Sequence, residues 1–521
     1  MAKKQSGGVI HNRGDVVEMT ITSMAPGGEA FGKADDLPVF IERGAPGDVV
    51  EVELFDVRKK FAKGKIARFI KPSPDRQEPP CKLFKVCGGC QWQHLEYSKQ
   101  LAHKTSIVKQ AMQHIGGLDS SIVKDCIGAE NPLFYRNKVQ FPVRNPKDST
   151  RILAGYFKPD SHELVNIKHC PVQSEALDRM LETVKEVLEL HEIPAYNERS
   201  GDGIVRHIHA RESRSNGTIL VTLVVNLEEG DYQEVLEAVA DEILARHEQI
   251  IGVAVNYNTM RGNRILGDTT VLIDGEEAIE EVLRATDERF PLKLKDGLKF
   301  KLSPTSFFQV NTDQAVRLLE VVYDEAFGTE PQTMKIPLVV DAYAGVGAIS
   351  LFLSPGAVRI SAIEEFPQAV IDGRFNTEIN EIRNVEFIEG SVEEVLPQFH
   401  DTGDKIDLLV LDPPRKGVSP EVLRSVVDLA PPRIIYVSCN PATLARDLKL
   451  LANGGIDPYQ KPTTVEIDDQ GQETRVVAQE DGNRPIYGYK TLRIQPIDLF
   501  PQTYHVESVA TLERVLLDGP V

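Results

Sequence analysis

Cys439 is the residue whose type and position first indicate chemistry. It follows the apolar run RIIYVS and precedes Asn440 and Pro441, where a helical segment begins. A cysteine at the end of a strand can be an exposed nucleophile, because its thiolate attacks electron-poor carbon readily. The alternative is a thiol that only packs in the core, since free cysteines are usually buried. The position favours the nucleophile.

Glycines and acids at the ends of other apolar runs indicate a cofactor. The segment DAYAGVGAIS (residues 341–350) contains a Gly-x-Gly turn at Gly345 and Gly347, and its last residue replaces the third glycine of a dinucleotide-binding motif. Glu364 ends the next apolar run, where a carboxylate can accept both ribose hydroxyls, and Asp412 ends a later one. This spacing fits S-adenosylmethionine better than NAD and predicts a methyltransferase. The alternatives are an NAD-binding sheet and a purely structural one.

Three clustered cysteines and a distant fourth indicate a metal site. Cys81, Cys87 and Cys90 lie in CKLFKVCGGC, and Cys170 follows far downstream in KHCPV. Four thiolates suit either zinc or an iron–sulfur cluster. The gap between the first two cysteines is wider than is usual for zinc, and the paired glycines permit a tight turn beneath a bulky cluster. Spacing alone predicts a metal and leaves its identity open, whereas Cys126 stands apart from these four cysteines in the sequence and is expected only to pack.

The elements that must position these residues form an α/β pattern from about residue 301. Short apolar strands alternate with helical segments, which is typical of a mostly parallel, doubly wound sheet. In such a sheet, ligands bind at the carboxyl ends of the strands. A polar, acid-rich stretch at residues 456–485 interrupts the pattern and is expected to be an inserted loop or hairpin. The predicted strands lie in IPLVVDA, AVRISAIE, NVEFIEG, KIDLLVLDPP and PRIIYVSC.

The N-terminal part of the chain, residues 12–72, predicts a small OB-like barrel of four or five short strands. A proline-containing linker follows, and residues 73–300 mix strands with acidic helical segments; a helix is also expected from about Tyr97 to Ile115. We therefore expect three domains, at 12–72, 73–300 and 301–521. One segment of the barrel, here called the basic strip, is expected to contact phosphates, the alternative being a solvated hairpin. Its cations, with no acid between them, are Arg58, Lys59, Lys60, Lys63, Lys65 and Arg68.

The composition excludes several classes of protein. The 521 residues include 59 Lys and Arg against 78 Asp and Glu, which gives a net charge of −19. This charge excludes a uniformly basic coat for nucleic acid and leaves room only for a local basic patch. Six cysteines are too few for a disulfide scaffold. The sequence shows neither a secretory signal nor a membrane span, so we expect a cytoplasmic protein without a membrane partner, and a monomer.

Taken together, these motifs resemble the RNA uracil-5 methyltransferases, specifically the bacterial 23S ribosomal-RNA branch with an N-terminal TRAM domain and a [4Fe–4S] cluster. The resemblance extends over nearly the whole chain, and the motifs occur in the family's order. They are SFFQVN at residues 306–311, DAYAGVG, DPPRKG, YVSCNPATLARD and DLFPQTYHVE. The implied fold class is α/β: a Rossmann-like S-adenosylmethionine-dependent methyltransferase domain, an OB-like TRAM barrel at residues 12–72, and an α+β central iron–sulfur domain.

The resemblance also implies roles for individual residues. Cys439 is implied to add to C6 of uracil, and Glu507 to remove the proton from C5 after methylation. Arg415 is expected to help the thiol ionise, because strand ends lie near one another. The implied contacts to S-adenosylmethionine are Gln309, Tyr343, Glu364 and Asp412, and the implied [4Fe–4S] ligands are Cys81, Cys87, Cys90 and Cys170.

Departures from the family pattern and several alternatives stay open. Ala348 stands where some relatives have asparagine and Ser391 where an acid or amide is common, so neither is predicted to bind the cofactor. The leading expectation is methylation of a uridine in 23S ribosomal RNA, and the nearest alternative is the same reaction on the T-loop uridine of transfer RNA. An amino-group methyltransferase is disfavoured, because those enzymes prefer Asn-Pro-Pro-aromatic where this chain has DPPR. A non-catalytic RNA-folding or ribosome-assembly factor is disfavoured by the intact Cys439 and Glu507.

Overall fold

The computed structural model describes residues 11–329, 335–454, 463–467, 473–477 and 487–517. Within them the chain forms two compact units. The first contains the described parts of residues 1–107, 128–279 and 498–505, and the second those of residues 108–127, 280–497 and 506–521. The division into three domains stays a prediction. No described helix is both long and apolar enough to cross a lipid bilayer.

A closed five-stranded barrel begins the first unit, as the sequence predicts. Its strands alternate buried and more exposed side chains, so that Val50, Val52 and Leu54 fill the interior. Beside the barrel, the buried carboxylate of Asp48 pairs with Arg76 at 2.6 Å and ties the linker to the strands. The strands are β1 (Val16–Met24), β2 (Ala30–Ala34), β3 (Leu37–Ile41), β4 (Val49–Val57) and β5 (Ala62–Lys71).

Helix α1 (Tyr97–Ala111) follows the cysteine-rich segment and continues into a π-helical turn, Met112–Gly116. Its polar face holds the chain segment 498–505, which belongs to the same unit. Lys104 Nζ lies 2.5 Å from Asp498 Oδ1, and both side chains are fully buried. The Tyr97 hydroxyl donates to the other carboxylate oxygen at 2.9 Å. A buried ion pair with these extra hydrogen bonds holds the DLFPQTYH segment in one position.

A seven-stranded sheet forms the rest of the first unit, in the order β12-β11-β10-β9-β6-β7-β8. The inner strand β10, ILVTLVV, is buried at every position, which a run that is apolar except for one threonine predicts. Two helices pack their apolar faces into the same core. The elements are β6 (Lys138–Arg144), β7 (Leu153–Phe157), β8 (Leu164–Asn166), α2 (Glu175–Leu190), β9 (Val205–Glu212), β10 (Ile219–Val225), α3 (Gln233–Arg246), β11 (Ile250–Tyr257) and β12 (Thr269–Gly275).

The second unit is built on a doubly wound sheet, as the sequence predicts. Its strand order is β17-β16-β15-β18-β19-β23-β22, and the five strands from β17 to β19 run parallel. The last described strand, β23, inserts antiparallel between β19 and β22. The strands are β15 (Ile336–Ala342), β16 (Ala357–Glu364), β17 (Val385–Glu389), β18 (Leu408–Leu411), β19 (Arg433–Ser438), β22 (Tyr487–Ile497) and β23 (Glu507–Leu516).

Helices connect these strands, and two small sheets complete the unit. β13 (Ile279–Leu283) pairs with β14 (Leu298–Leu302). Within the predicted insert, β20 (Thr463–Ile467) and β21 (Glu473–Val477) form an antiparallel pair. The other residues of the insert lie outside the described residues. The helices are α4 (Leu292–Asp296), α5 (Thr312–Phe327), α6 (Ala348–Leu353), α7 (Pro367–Ile379), α8 (Val392–Val395), α9 (Gln398–Thr402), α10 (Pro420–Leu429) and α11 (Pro441–Ala452).

Candidate active site

The end of the β19–β23 ladder brings Cys439 and Glu507 together. Strand β19 ends at Ser438, one residue before Cys439, and its antiparallel neighbour β23 begins at Glu507. Ser438 pairs with Ser508 in this register, so the next position along each strand belongs to the two candidate residues. Cys439 is partly exposed, whereas Glu507 is only 4% exposed. A thiol and a buried carboxyl group therefore stand side by side at the carboxyl edge of the parallel strands.

The charges around this pair disfavour its ionised forms. Burial, Glu507 and Asp412 raise the pKa of Cys439 to about 11, while Arg415 opposes the shift. Burial and Asp412 raise the pKa of Glu507 to about 8, again against Arg415. Burial and the nearby Asp341 raise the pKa of Asp412 to about 7. Cys439 and Glu507 thus share one arginine, Arg415, which forms no ion pair with any described residue.

The glycine-containing turn after β15 is held by Glu364. Its carboxylate accepts the Gly345 N–H at 2.7 Å with one oxygen and the Phe366 N–H at 2.9 Å with the other. A Cβ added at Gly345 would meet nothing within 4 Å, so open space lies beside the turn. Phe366 places an aromatic side chain, 64% exposed, next to this carboxylate. The turn thus combines free space, a carboxylate and an exposed ring, which together suit an adenosine group.

The two other predicted cofactor contacts lie on loops of the same unit. Tyr343 adopts a left-handed backbone conformation (φ 69°) at the start of the glycine turn. Burial and the nearby Glu393 raise the pKa of its hydroxyl. Gln309 is partly exposed in the loop between β14 and α5, two residues before Asn311 caps that helix. Their roles toward a cofactor stay predictions.

One face of helix α7 supports this site and was missed from the sequence. Asn380, which caps the helix, accepts the Lys299 N–H at 2.9 Å. Asn376 accepts the Lys301 N–H at 2.7 Å and donates to the Val346 carbonyl at 3.2 Å. The buried Asp372 accepts hydrogen bonds from the hydroxyls of Ser303 and Ser306. Every fourth helical residue thus meets every second residue of β14 and its loop, because the two rises are similar. The signal is the spacing of D, N and N in DGRFNTEIN.

Four cysteines line one cavity of about 230 Å³ in the first unit. They are the predicted ligands Cys81, Cys87, Cys90 and Cys170. Burial and repulsion from neighbouring thiolates raise the pKa of Cys90 to about 12, and burial with nearby Asp178 and the other thiolates raises that of Cys170 to about 12. Among the residues described, no group of three or more His, Cys, Asp or Glu is arranged as a metal site. The structure therefore brings the four thiols to one cavity, and the metal stays a prediction. Cys126 is buried in the second unit and is not among the residues that line this cavity.

Comparison with known families decides the class of the protein. A profile of the family described as tRNA (uracil-5-)-methyltransferase matches residues 96–455, more than half of the chain. The chain belongs to this family. A profile of the TRAM domain matches residues 11–67, which contain most of the barrel.

Relatives of the family match almost end to end. A Gloeobacter violaceus protein named as an uncharacterized RNA methyltransferase is 37% identical over 96% of this chain and 97% of its own length. A Bacillus cereus protein of the same description is 34% identical over 96% of this chain and 98% of its own. The solved tRNA (uracil-54, C5)-methyltransferase of Pyrococcus abyssi, in complex with S-adenosyl-L-homocysteine, shares the fold. Its TM-score is 0.68 at 24% identity, over 95% of this chain and 99% of that one.

Family membership makes the chain an S-adenosylmethionine-dependent RNA uracil-C5 methyltransferase, so its substrate is RNA. The expected methyltransferase fold and TRAM barrel are confirmed. An iron–sulfur cluster and the 23S ribosomal-RNA branch are not established by these comparisons.

The TRAM barrel of this family member carries fewer free cations than its sequence indicates. Four cations of the basic strip form ion pairs with acids from elsewhere in the barrel: Arg58–Asp56, Lys63–Glu29, Lys65–Glu53 and Arg68–Glu51. Lys59 and Lys60, in the turn between β4 and β5, are exposed and form no ion pair within the described part of the chain. Contact of the strip with phosphates stays a prediction, now centred on these two lysines.

Proposed function

We propose that this methyltransferase forms 5-methyluridine in 23S ribosomal RNA through a covalent bond between Cys439 and C6 of the target base. The observation that carries the mechanism is the pairing of a thiol with a buried carboxyl group where β19 meets β23. Uracil C5 is too weak a nucleophile to take a methyl group unaided. A partner that adds to C6 and a base that later accepts the C5 proton are therefore both required.

Each step has a residue to perform it. The Cys439 thiolate bonds to C6, and the electron pair of the C5–C6 double bond moves into the ring carbonyl as an enolate. The enolate carbon C5 then takes the methyl group by in-line displacement. Glu507 accepts the C5 proton, the double bond re-forms, and the C6–S bond breaks to release the thiolate. A base whose pKa is about 8 is well matched to a reaction near neutral pH.

The thiol needs help to ionise, because its pKa of about 11 leaves little thiolate at neutral pH. Arg415 is the residue of this site whose charge favours the thiolate. S-adenosylmethionine, when bound, supplies the methyl group on a positively charged sulfur. The residues that would hold this cofactor are Gln309, Tyr343, Glu364 and Asp412, with Phe366 against the adenine. The fit is supported by the open space at Gly345 and by Glu364, whose carboxylate keeps lone pairs beyond the two it gives to backbone N–H groups.

Ribosomal RNA is the proposed target because a TRAM barrel together with four cysteines is characteristic of the 23S branch that the chain resembles. The target base must leave its stack to reach the thiol, so flipping or refolding of the RNA is part of the proposal. Transfer RNA is the second candidate. It is favoured by the Pyrococcus abyssi enzyme, which is described as acting on uracil-54 of tRNA and shares the fold.

We further propose that Cys81, Cys87, Cys90 and Cys170 hold a [4Fe–4S] cluster. The residues fit such a group, because four thiols face one cavity, and burial with neighbouring thiols raises the pKa values of Cys87, Cys90 and Cys170. Positive iron would remove that repulsion. When bound, a cluster of this kind would cross-link distant parts of the first unit. Methyl transfer involves no net electron transfer, so its role is structural.

The decisive experiment traps the covalent intermediate. In Glu507→Gln the thiol can still add and the methyl group can still transfer, but the C5 proton has no acceptor. A methylated protein–RNA band should then persist on a denaturing gel and depend on both S-adenosylmethionine and Cys439. Normal turnover of Glu507→Gln would remove Glu507 from the mechanism, and an adduct in Cys439→Ala would remove Cys439. Offering 23S ribosomal RNA and transfer RNA separately decides the target, and methylation of neither would contradict both candidate targets.

The cluster has its own test. Protein purified anaerobically should be brown and contain about four iron atoms per chain, as a [4Fe–4S] cluster requires. Stoichiometric zinc in a colourless protein would contradict the proposal.

A further inference from the structure

Helix α11 holds the DPPRKG loop through a buried carboxylate. Asp447 is fully buried, and its Oδ2 accepts the Val418 N–H at 2.9 Å and the Tyr436 hydroxyl at 2.7 Å. Its Oδ1 accepts Nε of Arg446 at 2.8 Å. One carboxylate therefore connects the loop after β18, the strand β19 that leads to Cys439, and the helix that follows Cys439.

The same face of α11 also holds the loop carbonyls. Arg446 Nη2 donates to the Lys416 carbonyl at 3.0 Å. The side chain of Asn440 donates to the Arg415 carbonyl at 3.1 Å, and the Thr443 hydroxyl reaches the same oxygen at 3.4 Å. We call these four residues, Asn440, Thr443, Arg446 and Asp447, the anchor cluster. They contact the loop backbone at three of the four residues from 415 to 418, so little freedom is left to it.

Gly417 shows how closely the loop lies against the anchor cluster. Its φ is +78°, in the region that favours glycine, and an added Cβ would lie 2.5 Å from both Arg446 Nη2 and Asp447 Oδ2. Any side chain at this position would push the loop away from the helix. The glycine of DPPRKG is thus required by the contact with Asp447.

The loop matters because it carries Arg415. Charged and titratable groups that act on Cys439 come from two elements: Glu507 from β23, and Asp412 and Arg415 from this loop. Arg415 is exposed and has no acidic partner within the described residues, so only its own backbone holds it near the thiol. The strength of its field falls with distance, and a loop shift of a few ångströms would weaken it.

We propose that Asp447 is a positioning residue for methyl transfer: through the anchor cluster it keeps Arg415 beside Cys439 and Glu507. This inference rests on the proposed function, because it assigns Arg415 to the activation of the nucleophile. The competing explanation is that Asp447 only stabilises the packing of α11. The two explanations differ in whether the effect of Asp447 passes through Arg415.

A double-mutant cycle separates them, with the ionisation of the Cys439 thiol as the readout. The rate of alkylation of Cys439 by iodoacetamide is measured against pH by peptide mass spectrometry, in the full-length protein without RNA. Asp447→Asn should raise the apparent pKa of the thiol by about one unit, which slows alkylation at pH 8 about tenfold. In the Arg415→Gln background the same change should have no further effect. Asp401→Asn, a change at an exposed aspartate, is the matched control and should leave the rate unchanged.

Two outcomes would overturn the inference: no shift in Asp447→Asn, or an equal shift with and without Arg415. If Asp447→Asn does not fold, Gly417→Ala is the second variant, because the added Cβ would push the loop away from the anchor cluster. It should show the same dependence on Arg415. Since alkylation needs no RNA, a negative result here leaves the adduct experiment intact. Absence of the adduct in Glu507→Gln would instead contradict the proposed function itself.

Discussion

The protein contains two sets of cysteines whose thiols resist ionisation for different reasons. Burial combines with the charges of neighbouring thiols at Cys90, and with those of Asp178 and other thiols at Cys170. At Cys439, burial combines with two carboxyl groups, and an arginine of the chain opposes them. The cavity gathers several thiols whose mutual repulsion a metal would relieve, although Arg136 also lines it. The single cysteine instead faces carboxyl groups, and Arg415 opposes their effect. The two sets differ in which acidic groups surround the thiol: other thiols in the cavity, carboxyl groups at Cys439.

The largest expected effect is a complete separation of the two sets by mutation. Cys439→Ala should retain iron and lose methylation by about 10⁴-fold or more, because the nucleophile is gone. Cys90→Ala should lose the iron and the thermal stability that depends on it. Cys126→Ala, a change at a buried cysteine outside both sets, is the control and should keep both properties. Iron content, melting temperature and methylation of RNA are measured on each variant. Loss of iron in Cys439→Ala would abolish the distinction.

The next effect concerns how Glu507 makes the stability of the protein depend on pH. Glu507 has a pKa near 4.5 when unfolded and about 8 when folded, so the folded state holds the extra proton between these values. Stability therefore falls as the pH rises from about 4.5 to 8. Glu507→Gln cannot ionise and should exceed the parent by about 1–3 kcal/mol at pH 8.5, with the difference shrinking toward pH 5. Denaturant unfolding at both pH values measures it. A stability difference that does not change with pH would show that burial does not raise the pKa of this carboxyl group.

A smaller effect tests whether the positive charge of the bound cofactor lowers the pKa of the Cys439 thiol. S-adenosylmethionine carries a positive sulfur, whereas S-adenosylhomocysteine has nearly the same shape and a neutral one. At pH 8, Cys439 should react with iodoacetamide several-fold faster in the presence of S-adenosylmethionine than in the presence of S-adenosylhomocysteine. The reason is that a nearby cation lowers the pKa of a thiol. The two complexes shield the thiol similarly, so their ratio isolates the charge. Equal rates would mean that Arg415 acts alone.

The smallest effect concerns the basic strip, where cations already have partners. Changing Lys59 and Lys60 to alanine should weaken RNA binding a few-fold and lower its salt dependence, because each phosphate contact releases counterions. Changing Lys65 and Arg68, which pair with Glu53 and Glu51, should alter the salt dependence less. Binding isotherms of an RNA oligonucleotide at several salt concentrations compare the two. An unchanged salt dependence in the first variant would indicate a solvated hairpin.

Sequence alone predicted the parts of the fold that depend on local pattern. The runs IPLVVDA and KIDLLVLDPP contain buried parallel strands, and β1 to β5 form the expected barrel. The pairing of Cys439 with Glu507 was implied only by resemblance, because it depends on an antiparallel strand from the end of the chain.

Other features depend on register and could not be predicted. The acids that neutralise the basic strip stand mostly on other strands, and only pairing shows that Glu51 and Glu53 face Arg68 and Lys65. Asp372 and Asp447 look like ordinary polar positions of solvated helices until their buried partners are known.

Because β23 inserts antiparallel beside β19, the position of Glu507 relative to Cys439 does not depend on the length of chain between them. The insert at residues 456–485 lies between Cys439 and Glu507 along the chain, yet the hydrogen-bond ladder with β19 alone decides how the pair meets. Chain length between them is therefore free to vary during evolution, provided that the register is kept. A slip of one residue would turn Glu507 to the opposite face of the sheet, because side chains alternate along a strand. The register of the ladder therefore decides which face of the sheet carries the proposed base, whatever the length of chain between the two residues.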